Sequence, residues 1–375
     1  MVEIKEVTTR SGLRRFRDYP DILYKGYENY VPDLKGDEMN MLRKDKNASF
    51  EFCDARYFMA YKDGKPAGRV GALLNKAANE RWNTKRMRIT RMDFIDDPEV
   101  SAALFGEVEK WAKELGMTEV HGPLGFSDLD KEGLLIEGFE YPALSITINN
   151  YPYYQRHFEA NGYMKDADWV EYNLYPPKAD SEVSKKLERL SNIVLRRHNL
   201  RLYELKKMSE AEPIVRQIFT LMNECYRDLY GVMPFTPKQA DEYYLRFKPL
   251  MNPDYAKFII DKDNNLVGFG LGAPSLTEAL KKSKGRLFPT GFIHILKAIK
   301  TAKVLELYLV SVKPEYQNAG LPAVLMNAIA KSAQKNGVVY AESGPELENN
   351  ERVQALWKMF ETKLVRRRRC FIKEI

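Results

Sequence analysis

The sequence predicts an α/β protein made of two units in tandem, each a mixed, mostly antiparallel sheet flanked by helices. Two observations predict this class. The chain has 375 residues, which exceeds what a single core comfortably serves, so two units are the natural expectation. The order hairpin, strand, loop, helix, strand also occurs twice, about 200 residues apart, which indicates the duplication of a whole fold and not a short repeat.

The first unit is marked by apolar runs separated by turn residues. Two such runs surround KDGK at 62–65, a pattern typical of a β-hairpin. A third strand follows, then a segment with apolar side chains at helical spacing that ends at Gly116, then a further strand. We expect these elements at 57–61, 67–74, 87–94 and 98–115, and from 119 onward.

The second unit repeats this order. Two apolar runs surround DKDNN at 261–265, and a strand follows them. The next segment is helical in its spacing and stops near Gly337, where a last strand begins. We expect these elements at 256–260, 266–271, 304–312, 320–335 and 338–342.

A linker separates the two units. Pro176 and Pro177 forbid a continuing helix or a paired central strand. A charged stretch of helical pattern follows these prolines. We therefore expect one domain at 1–175, a linker with a helix at 176–200, and a second domain at 201–375.

The composition argues against several classes of protein. No run of 18 or more apolar residues is present to cross a membrane. The N-terminus lacks the apolar core of a signal peptide. The 3 cysteines, at wide spacing, favour reduced thiols in a cytoplasm over a disulfide framework. With 4 histidines and neither a CxxC nor an HExxH motif, we expect no metal site.

Four consecutive arginines at 366–369 form the densest positive charge in a chain whose net charge is +7. Such a run suggests affinity for phosphates on a nucleotide, a nucleic acid or an anionic membrane. The alternative is a solvated edge strand whose charges prevent edge-to-edge pairing. Because the net charge is modest and no aromatic residues are interleaved with the run, we expect no nucleic-acid groove.

The segment 307–325 (LYLVSVKPEYQNAGLPAVL) carries the most informative motif. A strand ends at Val312, and a helix opens after Gly320. Backbone N–H groups at a helix start are unpaired and carry partial positive charge, and a glycine lets an anion approach closely. We expect a pyrophosphate cradle formed by Gln317, Asn318, Ala319, Gly320 and Leu321.

At these residues the sequence resembles the GNAT superfamily, the Gcn5-related N-acyltransferases, whose coenzyme A loop reads Arg/Gln-x-x-Gly-x-Gly/Ala. Gln317 and Gly320 match this motif, whereas Pro322 replaces the final Gly or Ala and removes one N–H donor. The resemblance implies acetyl-coenzyme A or a longer acyl-coenzyme A as the co-substrate, with no metal. It also implies that backbone groups of Val310 and Val312 bind pantetheine.

The family's next motif, Asn-x-x-Ala-x-x-x-Tyr, has a partial counterpart that begins at Asn350. The resemblance implies that Asn350 belongs to the cofactor site. In the family, the tyrosine of this motif often protonates the leaving thiolate, and Trp357 stands in its position here. Another acid must then serve, or the thiolate leaves with the help of solvent.

The acyl transfer itself needs a positioned amine, a route for its proton and an oxyanion stabiliser. Candidate bases are Glu306, Glu342 and Glu348, which lie on or after the strands beside the loop. The alternative for each is a surface carboxylate or a helix cap. Tyr308 alternates with Glu306 and is a candidate for the lining of the acyl tunnel.

The first unit has no equivalent cradle. Its corresponding segment, 94–102 (FIDDPEVSA), contains no glycine and carries acidic side chains, which repel a pyrophosphate. We interpret the first unit as a degenerate copy that braces the second or shapes the acceptor cleft.

The whole layout resembles a group of bacterial tandem GNAT-like proteins, with similarity to N-acyltransferases of bacterial ceramide synthesis. The resemblance implies a primary amine as the acceptor, with a long-chain amino lipid as one candidate. The matching stretches cover nearly the full chain and include 30–32 (YVP), 67–70 (AGRV), 96–100 (DDPEV), 285–289 (GRLFP) and 348–350 (ENN).

Two segments fit an apolar acceptor or a long acyl chain. Residues 285–303 combine apolar side chains with lysines, which suits a helix on an anionic membrane face or a lid over a lipid; the alternative is a core-packing helix. Residues 229–235 (LYGVMPF) offer aromatic and methionine surface for an alkyl chain, or form a packed loop. We expect a cytoplasmic protein, with peripheral contact at the inner membrane face as an option.

The sequence thus favours an acyl-coenzyme A-dependent N-acyltransferase that acts on a primary amine. The alternative is a non-catalytic acyl-coenzyme A sensor or scaffold on the same fold, which Pro322 and Trp357 favour. The acceptor, the acyl length and the oligomeric state stay open at this point.

Overall fold

The computed structural model describes all 375 residues. It confirms the predicted α/β class, with a mixed sheet flanked by helices. The strands are joined in one sheet of 14 strands. No helix is both long and apolar enough to cross a membrane.

The first half of the chain contributes seven strands and five helices. The strands are β1 (Val2–Glu6), β2 (Cys53–Lys62), β3 (Lys65–Asn75), β4 (Arg86–Phe94), β5 (Glu119–Gly122), β6 (Leu134–Glu137) and β7 (Met164–Tyr175). The helices are α1 (Arg10–Leu23), α2 (Lys35–Met41), α3 (Lys76–Trp82), α4 (Pro98–Glu114) and α5 (Tyr153–Ala160).

The second half contributes seven strands and seven helices. The strands are β8 (Arg201–Glu204), β9 (Ala256–Ile260), β10 (Leu266–Pro274), β11 (Val304–Val312), β12 (Tyr340–Ser343), β13 (Glu346–Leu347) and β14 (Glu361–Glu374). The helices are α6 (Glu182–Arg197), α7 (Glu212–Cys225), α8 (Pro237–Phe247), α9 (Thr277–Ser283), α10 (Gly291–Thr301), α11 (Leu321–Lys335) and α12 (Glu351–Trp357).

The predicted hairpins are present in both halves. β2 and β3 are joined by Asp63 and Gly64, whose φ angles of 52° and 77° are those of a hairpin turn that matches the twist of the strands. β9 pairs with β10 in the same antiparallel manner. In each half a parallel pair then follows, β4 with β5 and β11 with β12. The repeated order predicted from the sequence is therefore confirmed.

The two halves exchange their last long strands. The sheet runs β1-β2-β3-β4-β5-β14-β7-β12-β11-β10-β9-β8, so β14, from the second half, pairs with β5 of the first. Conversely, β7 pairs with β12 of the second half. β7 and β14 also pair with each other along their length. We call this β7–β14 pair the seam, and neither half completes its sheet without it.

The predicted linker contains α6, which packs against α11 of the second half. Ser181 begins this helix, because its hydroxyl accepts the N–H of Ser184 at 3.2 Å. The domain bounds 1–175, 176–200 and 201–375 stay a prediction. The exchanged strands show that each sheet draws residues from both sides of that linker.

The arginine run lies in β14, inside the sheet. Arg366 and Arg368 have side chains that are 1% and 0% exposed, and both bind the carboxylate of Glu171 on β7. Arg367 and Arg369 bind the carboxylate of Asp168. The interpretation as a solvated edge strand is therefore wrong. All four guanidinium groups are used within the protein, which leaves none free to bind phosphate.

Candidate functional site

The predicted cradle lies where β11 turns into α11. A short 3-10 turn, Pro314–Ala319, leads to Gly320, whose φ of +83° is a conformation that glycine adopts without strain. The Gly320 N–H has no hydrogen-bond partner. By helix geometry the N–H groups of Leu321 and Ala323 have no partner within α11, whereas Pro322 has no N–H. The helix start thus offers backbone donors for an anion.

Neighbouring helices hold this loop in place. The side-chain Oε1 of Gln317 accepts a hydrogen bond from Arg352 on α12 at 3.0 Å. The ring of Tyr316 meets the ring of His198 edge-on, at 5.6 Å between centroids. On the same side, Val194 of α6 lies 3.5 Å from the position that a Cβ on Gly320 would take. The end of α6 therefore narrows the approach to Gly320, and Arg352 adds a positive charge near the loop.

A cleft opens where β11 and β12 part. The two strands pair only from Val304 with Tyr340 to Leu307 with Ser343, and the Gly344 N–H then bonds to the Leu307 carbonyl at 2.9 Å. A β-bulge in the β10–β11 pairing leaves Tyr308 without a partner opposite it. The cavity beyond has a volume of about 160 Å³. Its mostly apolar wall includes Leu271, Leu307, Leu309, Val310, Met326, Ile329, Leu347, Val353 and Trp357.

The backbone groups predicted to bind pantetheine lie beside this cleft, and side chains from the end of α7 contact them. The Tyr226 hydroxyl donates to the Val310 carbonyl at 2.8 Å. The Cys225 thiol donates to the Val312 carbonyl at 3.3 Å. A pantetheine that uses either carbonyl has to displace a side-chain donor. Asn350 lines the cleft, and its side chain also accepts the Val353 N–H at 3.4 Å.

Glu306 and Tyr308 are brought together at the inner end of the cleft. Glu306 is 0% exposed, and its carboxylate accepts hydrogen bonds from Ser275 at 2.8 Å, Ser145 at 3.1 Å and Tyr308 at 3.2 Å. Burial, with a contribution from Glu342, raises the pKa of Glu306 to about 7, although the hydrogen bonds from these hydroxyl groups lower it. The carboxyl group can therefore both take up and release a proton near neutral pH.

The other two predicted bases lie outside the cleft. Glu342 accepts hydrogen bonds from Arg366 at 3.2 Å, at the seam. Glu348 binds Lys165 at 3.1 Å and also Arg367, with its side chain 42% exposed. These hydrogen bonds lower the pKa of Glu348. Both carboxylates are held by cations, whereas Glu306 accepts a hydrogen bond from Tyr308, which lines the cleft, so Glu306 is the best placed of the three candidates.

Two carboxyl groups of the first half also line this cleft, and they are not among the predicted site residues. Asp128 and Glu132, from the loop between β5 and β6, line the cavity beside Tyr226 and Val310. Asp128 Oδ1 is buried without a hydrogen-bond partner. Burial raises the pKa of Asp128 to about 6 and that of Glu132 well above its ordinary value. The cluster of acids in 127–132 (SDLDKE) was the only local signal.

A second cavity, which we call the acceptor cavity, lies between the halves and has a volume of about 140 Å³. Tyr308 lines both cavities, so it lies at their common boundary. The charged lining of the acceptor cavity comprises five carboxylates and four cations. They are Asp33, Asp37, Glu38, Asp93, Asp130, Arg69, Arg91, Lys131 and Arg246.

The equivalent region of the first half is closed by its own side chains. Asp97 caps α4, where its carboxylate accepts the N–H groups of Glu99 at 2.9 Å and Val100 at 3.4 Å. The Phe94 N–H donates to Tyr154 at 2.8 Å, and its carbonyl accepts from Tyr153 at 2.5 Å. The Asp97 carboxylate thus occupies the start of α4, where a bound anion would otherwise lie. This fits the interpretation of the first half as a degenerate copy.

One group with metal-ligand chemistry surrounds a tyrosine. Ligand atoms of His121, Asp166 and Cys370 lie within 4.8 Å of one another. The Tyr230 hydroxyl is 3.2 Å from His121 Nδ1 and 3.4 Å from Cys370 Sγ, and it also bonds to Asp166. The hydroxyl therefore sits at the centre of the group and provides each member with a hydrogen-bond partner.

Comparison with known proteins matches part of the second half to a family. Residues 215–360 match the model of the acetyltransferase (GNAT) family. Protein YghO of Escherichia coli (strain K12) is 28% identical over 378 residues, covering 99% of this chain and 95% of the relative. The bacterial ceramide synthase of Caulobacter vibrioides (strain NA1000 / CB15N) is 25% identical over 360 residues, covering 92% and 90%.

A solved structure shows the same arrangement of two halves. The tandem GNAT protein from the clavulanic acid biosynthesis pathway superposes with a TM-score of 0.60 at 11% identity, covering 100% of this chain and 98% of that protein. The likeness of fold extends over both halves, and the family match lies in the second half, around the cleft. Residues 215–360 of this chain therefore form a GNAT-family domain, which supports an acyltransferase, and the fold of the whole chain is similar to that of a tandem GNAT protein.

Proposed function

We propose that the protein transfers an acyl group from acyl-coenzyme A to a primary amine. The observation that carries this proposal is that two features occur together on α11. The backbone N–H groups around Gly320, at its start, have no hydrogen-bond partner, and an apolar cleft runs along the same helix. Met326 and Ile329 of α11 line that cleft. A diphosphate at the helix start and an acyl-pantetheine along the cleft would direct the thioester toward Tyr308.

The amine is proposed to enter through the acceptor cavity. Tyr308 lines both this cavity and the cleft, and its hydroxyl donates to Glu306. Glu306 has no direct access to either cavity, since it is 0% exposed. The Tyr308 hydroxyl would therefore relay a proton, accepting one from the attacking nitrogen while it passes its own to Glu306.

The charge of the acceptor cavity suits an ammonium group. Its four cations are each close to a carboxylate: Arg69 with Asp93 at 2.6 Å, Lys131 with Asp33 at 2.6 Å, Arg91 with Glu38 at 3.1 Å, and Arg246 with Asp37 at 3.7 Å. Asp130 remains as the fifth carboxylate, bonded to the N–H of Phe126 at 2.8 Å. The excess of one negative charge favours a cationic head group.

A long-chain amino lipid is the acceptor that we favour. The wall of the acceptor cavity includes Leu276 and Leu280 of α9, which pack with Ile295 of α10 in one apolar cluster. The outer face of this helix pair exposes Phe288 at 78% and Leu296 at 53%. We call this exposed face, residues 287–296, the apolar face. A lipid held at a membrane surface would thus lie beside the cavity that receives its amine.

Basic residues surround the apolar face. Lys297 and Lys300 of α10, and Lys303 just after it, are exposed. A helix with exposed aromatic and aliphatic side chains and neighbouring lysines is typical of peripheral binding to anionic lipid. We propose that residues 285–303 contact an anionic membrane surface. The core-packing alternative accounts for Ile295, which is 4% exposed, and not for the outer face.

The release of free thiol tests the catalytic proposal. Protein is incubated with acetyl-coenzyme A or palmitoyl-coenzyme A and with a panel of amines that ranges from ethanolamine to a long-chain amino alcohol. We expect thiol to rise only when an amine is present, and the Glu306→Gln variant to slow its release. The Glu351→Gln variant is a matched control, because Glu351 is exposed at the start of α12. A protein that binds acyl-coenzyme A but never releases thiol is instead a sensor or scaffold.

Vesicle sedimentation tests the membrane contact. We expect binding to phosphatidylglycerol vesicles and weak binding to phosphatidylcholine vesicles. Replacing Phe288 and Phe292 by serine should lower binding about tenfold, since it removes apolar area that enters the lipid. Leu245→Ser is the control, because Leu245 is 68% exposed on α8, outside the apolar face. Equal binding of the double variant and the wild type would refute the membrane contact.

A further inference from the structure

Trp357, at the end of α12, forms a pair with an acidic residue in the wall of the cleft. Its indole N–H donates to Glu346 Oε1 at 2.6 Å. Glu346 belongs to β13 and lies opposite Val170 of β7. Its second oxygen, Oε2, is buried and has no hydrogen-bond partner. An unpartnered buried polar atom is unfavourable, so this carboxyl group is held at the cleft without a full set of hydrogen bonds.

The surroundings of Glu346 favour its neutral form. No lysine, arginine or histidine lines the cleft, so no cation compensates a carboxylate there. Burial raises the pKa of Glu346 to about 8, although the hydrogen bond from Trp357 lowers it. The other titratable groups that face the cleft are carboxyls and phenols, namely Asp128, Glu132, Tyr226, Tyr230 and Tyr308. Tyr172 of β7 lies near Glu346 as well.

Each phenol group of the cleft already donates its proton in a hydrogen bond within the protein. Tyr226 donates to the Val310 carbonyl at 2.8 Å. Tyr308 donates to Glu306 at 3.2 Å, and Tyr230 donates to Asp166. Asp128 and Glu132 lie in the loop between β5 and β6 of the first half, apart from β13. On the wall formed by β13 and α12, Glu346 is the acid whose proton is not donated in a hydrogen bond within the protein.

We propose that Glu346 is a catalytic residue that protonates the departing thiolate of coenzyme A, and that Trp357 positions it. This inference rests on the proposed acyl transfer. As the new C–N bond forms, the nitrogen loses a proton through Tyr308 to Glu306. As the C–S bond breaks, the sulfur takes the proton from the carboxyl group of Glu346, which lines the cleft. After the products leave, Glu306 releases its proton to water and Glu346 regains one from water, so the reaction yields an amide and a free thiol.

The test compares thiol release by the wild type and by Glu346→Gln, Trp357→Phe and the control Glu351→Gln across pH. We expect Glu346→Gln to bind acyl-coenzyme A like the wild type and to lose about 100-fold in kcat. The wild-type kcat should fall as the pH rises through about 8, because the acid is then ionised. Glu346→Gln should lack this fall. Trp357→Phe should move it to higher pH, since it removes a hydrogen bond that lowers the pKa of Glu346.

The leaving group gives a second readout. An acyl thioester of an aryl thiol releases a thiolate that needs no proton, so the deficit of Glu346→Gln should shrink to less than about tenfold with such a donor. A deficit of the same size for both donors would refute the donor role. So would an alkaline fall that survives in Glu346→Gln and disappears in Glu132→Gln.

A fluorescence titration separates this proposal from the proposed function. Ionisation of Glu346, 2.6 Å from the Trp357 nitrogen, should change tryptophan emission near pH 8 in the wild type and not in Glu346→Gln. A midpoint near the ordinary glutamate value would refute the donor role whether or not the protein turns over. A wild type that binds acyl-coenzyme A and releases no thiol from any amine would refute the acyl transfer, and the donor role with it. Turnover that is equal in Glu346→Gln and the wild type would refute the donor role alone.

Discussion

The seam between the halves yields a prediction about stability. Glu171 on β7 is fully buried, and its carboxylate binds Arg366 at 2.8 Å and also Arg368. The Glu171→Gln substitution would leave Arg366 with Glu342 alone and Arg368 with no carboxylate, since its remaining bonds go to carbonyl groups. Removing one partner of a buried ion pair costs about 3 to 5 kcal/mol. We expect a loss of that size in the free energy of unfolding.

The assay is urea unfolding, followed by tryptophan fluorescence and by circular dichroism. Glu348→Gln is the control, because Glu348 binds Arg367 at the surface with its side chain 42% exposed, where such a pair contributes about 0 to 1 kcal/mol. Both halves share the seam, so Glu171→Gln should lower the midpoint of both signals together. A loss below about 1 kcal/mol, or a shift in one of two separate transitions, would refute this account of the seam.

Three further predictions concern Glu306 and Asp97. The folded-state pKa of Glu306 is raised from 4.5 to about 7, so its contribution to stability is full below pH 4.5 and is lost as the pH rises through 7. This decline in the free energy of unfolding amounts to about 3 kcal/mol, and Glu306→Gln should flatten it. Urea unfolding at pH 4.5 and 8 measures the decline, and an unchanged decline in the variant would contradict the raised pKa of Glu306. The wild-type kcat/KM should rise with pH through about 7, as Glu306 becomes a base. Asp97→Ala should lower the free energy of unfolding by about 1 kcal/mol, because α4 loses its N-cap; thermal unfolding checks this, and no change would contradict it.

Local patterns predicted much of the fold. The strand at 304–312 has the predicted bounds, and α11 begins one residue later than predicted. Alternating apolar runs, turn residues such as Asp63 and Gly64, and helical spacing are properties of the sequence itself, so these elements could be found without a partner structure.

The exchange of strands could not be predicted in this way. The sequence of β14 resembles a charged edge strand because four arginines stand in a row. It lies inside the sheet because Glu171 and Asp168, about 200 residues earlier, supply the opposite charges. Pairing over such a distance leaves no local signal.

The site was predicted only in part, because some of its residues are brought in by the same long-range pairing. Gly320, Glu306 and Tyr308 lie within the second half and follow a motif that can be read along the chain. Asp128 and Ser145 come from the first half and meet the site only because the two sheets are joined. The sequence singled out Trp357 as a departure from the family, and its partner Glu346 became apparent from the hydrogen bond between them.

Calorimetric titration with acetyl-coenzyme A tests the central claim most directly, using Gly320→Glu and Gly320→Gln. Both variants bear the cost of a side chain at a φ of +83°, and only Gly320→Glu adds a negative charge beside the expected diphosphate. Two unit charges 4 Å apart interact by about 1 to 4 kcal/mol at the dielectric of water or of a protein surface. We predict that Gly320→Glu binds at least about tenfold more weakly than Gly320→Gln. Equal affinity of Gly320→Glu and the wild type would contradict the cradle and the acyl transfer that depends on it.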